Sequence, residues 1–308
     1  MNSEINNKSI KTSFGDTIFQ LGSDMPHLYV VSMDLKSSLS LDKFANKFHS
    51  RFVECGVAES NGAGVAAGLA KSGKTVFLCT YSAFSPAINW AVIRQSICYN
   101  HLNVKIVGGY SGLMTSVLGG THQMLEDIAL MRAMPEMEVF APLDAIETAK
   151  ITEVIAHSPH PSYLRLVAPV TPTVLKSNYH FTIGKSPVLQ SGLAVSVLGY
   201  GPILTQVLKI NKNVEIINCS SIKPLDSATI LESIKKTGRC LIIEDHQKNG
   251  GLGDAVANLI LSSGIKCKFI HLGVDNQFGQ SAKEWQTLYD HYGLGKKAII
   301  SSIKKLLL

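Results

Sequence analysis

Glu59-Ser-Asn-Gly-Ala-Gly-Val-Ala-Ala-Gly-Leu-Ala70, followed by Thr75-Val-Phe-Leu-Cys79, is the stretch on which the fold turns. Small residues at spacings of two to four let a helix press its backbone against a neighbouring element. The apolar run after it has the length and composition of a buried strand. The alternation repeats along the chain, with strands expected at Tyr29–Met33, Thr75–Cys79, Val104–Val107, Glu138–Phe140, Ser162–Leu166, Ala194–Leu198, Val214–Ile217, Leu241–Glu244 and Lys268–Leu272. Helices are expected between them, the pattern of βαβ units.

The least regular stretch runs from Ala168 to Pro187, with Pro169, Pro172 and Gly184 around a polar Lys-Ser-Asn-Tyr-His insert. Such a stretch is expected to be a linker. The chain is therefore expected to be of the α/β class, with two domains of mostly parallel sheets covered by helices. Residues 1–170 would form the first, 171–186 the linker and 187–308 the second, sizes normal for domains.

Composition supports this and narrows the function. Of 308 residues 45% are hydrophobic but only 7% aromatic, so the cores must be built from Ala, Val, Ile and Leu, as in buried parallel strands. The 29 Lys and Arg against 23 Asp and Glu leave +6, spread too evenly for a nucleic-acid footprint. No apolar run is long enough to span a membrane and the polar start lacks a signal-peptide core, so a soluble, cytoplasmic protein is expected. Cys55, Cys79, Cys98, Cys219, Cys240 and Cys267 form no CxxC pair and read as reduced thiols.

Three helix starts carry chemistry-bearing residues. Glu59 opens the small-residue helix, where by itself it simply complements the positive helix end. In Gly120-Thr-His-Gln-Met-Leu-Glu-Asp-Ile-Ala-Leu-Met131, Thr121 reads as an N-cap, and His122 alone reads as a partner of local polar groups. Gly250-Gly-Leu-Gly253 opens a helix whose exposed amides offer an anion cradle. It is not a dinucleotide fingerprint, since no acid follows at the ribose-binding distance.

Taken together, these segments resemble the transketolase family. Arg51-Phe-Val-Glu-Cys-Gly-Val-Ala-Glu-Ser-Asn, Thr80-Tyr-Ser-Ala-Phe84, His101-Leu-Asn-Val-Lys-Ile-Val-Gly108 and Gly120-Thr-His-Gln are similar to its pyrimidine-binding half. Ile222-Lys-Pro-Leu-Asp226, Ile243-Glu-Asp-His246 and Gly250-Gly-Leu-Gly-Asp-Ala-Val-Ala257 are similar to its C-terminal domain. The resemblance covers nearly the whole chain, in order. It implies thiamine diphosphate as cofactor, cleavage of a ketose between C2 and C3, and transfer of the two-carbon unit to an aldose.

By the same resemblance Glu59 is the acid that bonds the aminopyrimidine ring, and Phe84 and Tyr81 are the aromatic residues stacked on it. Tyr81 reads equally well as a core residue. Asp34, in Asp34-Leu-Lys-Ser-Ser38, falls near the cofactor's thiazolium; Ser38 and Arg165 reach a sugar phosphate, and His122 works on substrate oxygens. Two positions depart from the family. Tyr110 stands where a phosphate-holding histidine is usual, and Leu118 where an aspartate reads an α-hydroxyl, which leucine cannot do.

The Gly-Asp-Gly motif and following Asn that hold the diphosphate and its Mg²⁺ or Ca²⁺ are missing. The resemblance therefore implies a split enzyme, in which an N-terminal subunit supplies them and two copies of each chain form a heterotetramer. Three alternatives stay open on sequence: the β subunit of a 2-oxo acid dehydrogenase, a deoxyxylulose-phosphate synthase-like enzyme, and a non-catalytic scaffold.

Overall fold

The structure, a computed structural model, describes residues 7–208, 210 and 213–308. Two main sheets carry it. The larger has seven strands, in the order Ser221–Lys223, Glu138–Phe140, Ser162–Arg165, Val104–Gly109, Thr75–Tyr81, Leu28–Ser32 and Phe52–Glu54. All pairs are parallel except the first, where Ser221–Lys223 runs antiparallel. The smaller has Lys268–Val274, Arg239–Gln247, Ser196–Gly199 and Glu215–Asn218 in parallel, edged by antiparallel Val188–Gln190.

The strands expected from sequence are present, and five more are found: Asn7–Ser9, Phe52–Glu54, Val170–Pro172, Val188–Gln190 and Ser221–Lys223. Each has three residues and lies at a sheet edge or in the small pair of Asn7–Ser9 with Val170–Pro172. Such segments are too short to show periodicity; their pairing partners define them. Central strands, by contrast, are buried throughout: every residue of Val104–Gly109 is buried, Lys105 included. Its ammonium caps the carbonyls of Ser158 and His160, and burial pushes its pKa down to about 7.

The segment 171–186 is tied down along its length. Asp144, which caps the helix Ala145–His157, also accepts from the amides of Val174 and Leu175 at 2.8 Å each. Phe181 packs edge-on against Phe140, and the Gly184 and Ser186 amides bond Ser221 and Asp226. Glu147 on the same helix accepts from Asn218, Ser220, Tyr179 and the Leu143 amide. Burial raises its pKa despite these bonds. With Ser221–Lys223 added to the first sheet, the two halves share both a sheet and a buried polar seam.

Two local expectations are corrected. The helix after Gly120 starts only at Asp127, and Thr121 is not its cap; its hydroxyl meets His122 Nδ1 at 2.9 Å. Residues 119–126 form turns because distant partners take their backbone groups: Met124 O accepts from Gly112, and Leu125 O from Gln247. The helix Leu252–Ser263 does start at the glycines, but its free amides hold the chain's own Glu244, at 2.8 Å from Leu252 and 2.9 Å from Gly253. Burial raises the pKa of Glu244, yet His271 and these amides outweigh it and hold it below the usual range. The cradle is therefore already filled.

Candidate active site

In parallel α/β sheets, ligands gather beyond the carboxyl ends of the strands. Five strands of the larger sheet deliver candidates there. Asp34 follows Leu28–Ser32, Glu59 follows Phe52–Glu54, Tyr81 and Phe84 end and follow Thr75–Tyr81, Tyr110 follows Val104–Gly109, and Arg165 ends Ser162–Arg165. The loop 111–126 adds Leu118 and His122.

Glu59 is the first residue of the helix Glu59–Lys71 and is 7% exposed. Gly56, at φ +66°, makes the turn into it in a conformation that favours glycine. Asn89 Nδ2 donates to the Glu59 carbonyl at 3.1 Å, tying the helix start to the loop after Tyr81. Among the described residues no donor reaches the Glu59 carboxylate. The carboxylate is therefore left open for a bound partner.

The aromatic residues cluster. Tyr81 and Phe84 lie 6.0 Å apart at 24°, Tyr110 sits 4.2 Å from Tyr81, and His122 stands edge-on to Phe84 at 5.4 Å. Tyr81, Phe84, Tyr110 and His122 are all half-buried, a shelf and not a closed core. The Tyr81 hydroxyl donates to Ser38 at 3.3 Å, and burial first, then the neighbouring Tyr110, pushes its pKa up. Thr80, Ser82 and Ser85 carry buried hydroxyls with no partner in the described chain, as does the Asn89 side-chain oxygen.

The remaining candidates divide. Asp34 is exposed, at φ +59°, its amide fixed by Glu54 at 2.7 Å. Leu118 is 39% exposed on the turn Ser116–Leu118. Arg165 is not available for a sugar phosphate as expected from sequence: it is 4% exposed, with Nε on Asp127 at 2.9 Å and a terminal nitrogen on the Asp245 carbonyl at 2.8 Å. Burial lowers its pKa, but Asp127 and the surrounding acids and phenols reverse this and raise it above its usual value. It is a buried brace between the halves.

Two contributions escape a reading of the sequence. The C-terminal half shapes the His122 loop: the Asp245 carboxylate accepts from the Leu113 amide at 2.9 Å, the Gln123 side chain donates to the Gln280 carbonyl at 3.0 Å, and Ala282 donates to Ser116. Gly119 and Gly120 press so closely on Ser281 and Gly279 that a Cβ would stand 2.5 Å from each. Lys11, from the helix Ile10–Asp24, reaches the Tyr110 hydroxyl at 2.8 Å. A lysine in the first helical turn is the one signal the sequence offers for it.

Residues 6–171 match the family of transketolase pyrimidine-binding domains, and residues 184–299 that of transketolase C-terminal domains. A Methanocaldococcus jannaschii protein named for the transketolase C-terminal section is 36% identical, over 96% of this chain and 95% of that one. One of the subunits of the apulose-4-phosphate transketolase of Phocaeicola vulgatus is 31% identical, over 94% of each chain. A solved split-gene transketolase, an inactive β4 tetramer, superposes with a TM-score of 0.90 at 34% identity, over 97% of this chain and 98% of that one.

Proposed function

The chain belongs to the transketolase family, and from that premise we propose that it is the C-terminal subunit of a split, thiamine diphosphate-dependent transketolase. With its partner it moves a two-carbon ketol unit from a ketose to an aldose. The observation that carries this reading is the unpartnered, buried Glu59 carboxyl beside a half-buried aromatic shelf and His122.

The residues present fit the ring half of the cofactor. Bound there, thiamine diphosphate supplies a carbon nucleophile and an electron sink for breaking a bond next to a carbonyl. Glu59 would bond the ring nitrogen of the aminopyrimidine, a contact that its carboxylate, reached by no donor among the described residues, leaves open. Phe84 and Tyr81 offer ring faces. Asp34 lies on the same edge of the sheet. His122, steadied by Thr121, donates to or accepts from substrate oxygens.

The residues do not fit the diphosphate half. Among the described residues no group of His, Cys, Asp or Glu could hold a metal ion, and the Gly-Asp-Gly motif is missing. An N-terminal subunit would supply diphosphate and Mg²⁺ contacts, in a heterotetramer of two copies of each chain. Val57, Ile88 and Val117 are 79%, 60% and 69% exposed, each close in sequence to Glu59, Phe84 or His122. Large apolar side chains exposed around one site mark a surface that a partner covers. The inactive β4 form of the similar split enzyme agrees with this division of labour. No helix of the described chain is long and apolar enough to cross a membrane.

The test is reconstitution. The chain purified alone, with cofactor and Mg²⁺, is expected to move no ketol unit, and the pair with its N-terminal subunit is expected to do so. Activity of the solitary chain would remove the split-site reading, and decarboxylation of pyruvate by the pair without ketose cleavage would reassign the chemistry.

Leu118 bears on the acceptor. Leu118→Asp in the pair is expected to shift kcat/KM toward acceptors with an α-hydroxyl by about tenfold or more, because a carboxylate facing the substrate discriminates by the bond it leaves unmade. An unchanged preference would place residue 118 outside the substrate path.

A further inference from the structure

The strands Arg239–Gln247 and Lys268–Val274 are parallel neighbours in the smaller sheet, and beyond their carboxyl ends lies a cavity of about 270 Å³. This is the edge at which open α/β sheets take up ligands. Gln247 and Asn249 line it from the first strand, Asn276, Gln277 and Phe278 from the second, and Glu126 from the loop that carries His122. None of Glu59, Tyr81, Phe84, Tyr110 and His122 lines it, so it is separate from the aromatic shelf. Its walls are fixed to one another. The Gln247 amide donates to the Leu125 carbonyl at 2.8 Å, the Gln247 side chain to the Gln277 carbonyl at 2.6 Å, and the Tyr292 hydroxyl to the Phe278 carbonyl at 2.8 Å.

Within these walls the polar groups are mostly unspent. The side-chain amides of Asn249, Asn276 and Gln277 have no partner among the described residues, and each offers two donors and an acceptor oxygen. The Glu126 oxygens accept one bond each, from the Leu125 amide and from Gln247, about half of what a carboxylate can take. Donors and acceptors thus stand side by side, a pattern that a hydroxyl, being both, satisfies on each count. Glu126 is the only formal charge among the lining residues, and neighbouring Lys248 is paired with Asp275 at 2.7 Å. An anion would meet a carboxylate there and no free cation. Phe278 is 85% exposed and adds an apolar ring face, which suits the C–H face of a sugar ring.

We propose that this cavity is a second binding site, for a neutral, unphosphorylated sugar. Asn249, Asn276, Gln277 and Glu126 bond its hydroxyls, and Phe278 covers one face of its ring. The volume is just below the range of about 300–1,000 Å³ that holds drug-sized ligands, so the site takes one sugar ring and not a chain. A sugar bonded to Glu126 rests against the loop that carries His122. The inference stands on the lining residues and does not need the ketol-transfer reading.

The probes are D-ribose, D-fructose and D-ribose 5-phosphate, titrated into the full-length chain labelled with 4-fluorophenylalanine and followed by ¹⁹F NMR. The Phe278 and Phe84 resonances are identified by their absence in Phe278→Leu and Phe84→Leu. The Phe278 signal is expected to shift saturably with at least one neutral sugar, and Gln277→Ala to weaken that binding about threefold or more, as loss of a single hydrogen bond does. Ribose 5-phosphate is expected to bind at Phe278 about threefold or more weaker than ribose, and Glu126→Gln to narrow that gap, because the amide keeps an acceptor and drops the charge. A Phe278 signal that no neutral sugar moves overturns the proposal, as does movement confined to Phe84, which would place the sugar on the aromatic shelf. Equal or tighter binding of the phosphate overturns the neutral ligand. The response is expected to persist in the pair; its loss on adding the N-terminal subunit would make Phe278 a subunit contact and overturn the site. Because the readout needs no turnover, a responsive Phe278 in a pair that transfers no ketol unit would remove the transketolase reading and keep this site.

Discussion

Replacing Glu59 by Gln in the reconstituted pair is expected to lower kcat by about 10²–10⁴, the usual contribution of a positioned proton-transfer group. Gln has the same size and fills the same space at the start of the helix Glu59–Lys71, so assembly with the partner should survive and can be checked by sizing. On the proposed reading the carboxyl exchanges a proton with the ring nitrogen of the cofactor, which an amide cannot do. Glu59→Ala should fall at least as far, since it deletes the contact and leaves the small-residue packing of Gly62 against Met33 untouched. Turnover within about threefold of the parent enzyme in both variants would reject the assignment of Glu59 and, with it, the account of the site.

Arg165 yields a second large effect, on stability. The Arg165–Asp127 pair is fully desolvated, with side chains 3% and 0% exposed, and Tyr163 donates to the same Asp127 oxygen at 2.7 Å. Arg165→Met leaves a buried carboxylate without its counter-charge, which costs about 3–5 kcal/mol. It also removes the bond to the Asp245 carbonyl, and Asp245 is the residue that holds Leu113 and Tyr289. The urea midpoint should drop sharply, and Arg165→Met combined with Asp127→Leu and Tyr163→Phe should recover most of the loss, because the apolar set carries neither an unpaired charge nor an unpaired hydroxyl. If Arg165 gripped substrate instead, the single variant would keep its midpoint within about 0.5 kcal/mol, as ordinary surface changes do, and raise KM alone.

The two residues also separate what is legible in the sequence from what is not. The placement of Glu59 is readable because its neighbourhood is local: Gly56, the helix start and the small residues behind it are contiguous, and its burial follows from that packing. Arg165 misleads because its partners are 38 and 80 residues away, and nothing in Tyr163-Leu-Arg-Leu shows that both will arrive. The glycine cradle at Gly250 fails for the same reason: Glu244 lies close in sequence, but only the parallel pairing of Arg239–Gln247 with its neighbours aims it at the helix amides. Lys11 escapes notice altogether, since its contact with Tyr110 spans 99 residues.

By itself the sequence determined the alternation of strands and helices, the parallel sheets and the residues at their carboxyl ends, because each depends on periodicity and turn chemistry within a few residues. Tertiary structure alone decided which charged groups stay free. Asp127, Asp245 and Glu244 take up Arg165 and the helix amides in the interior, the His122 loop is tied to the C-terminal half, and Lys11 meets Tyr110 at the rim. Charge pairing depends on distance and on exclusion of water, and both are set by how remote segments pack.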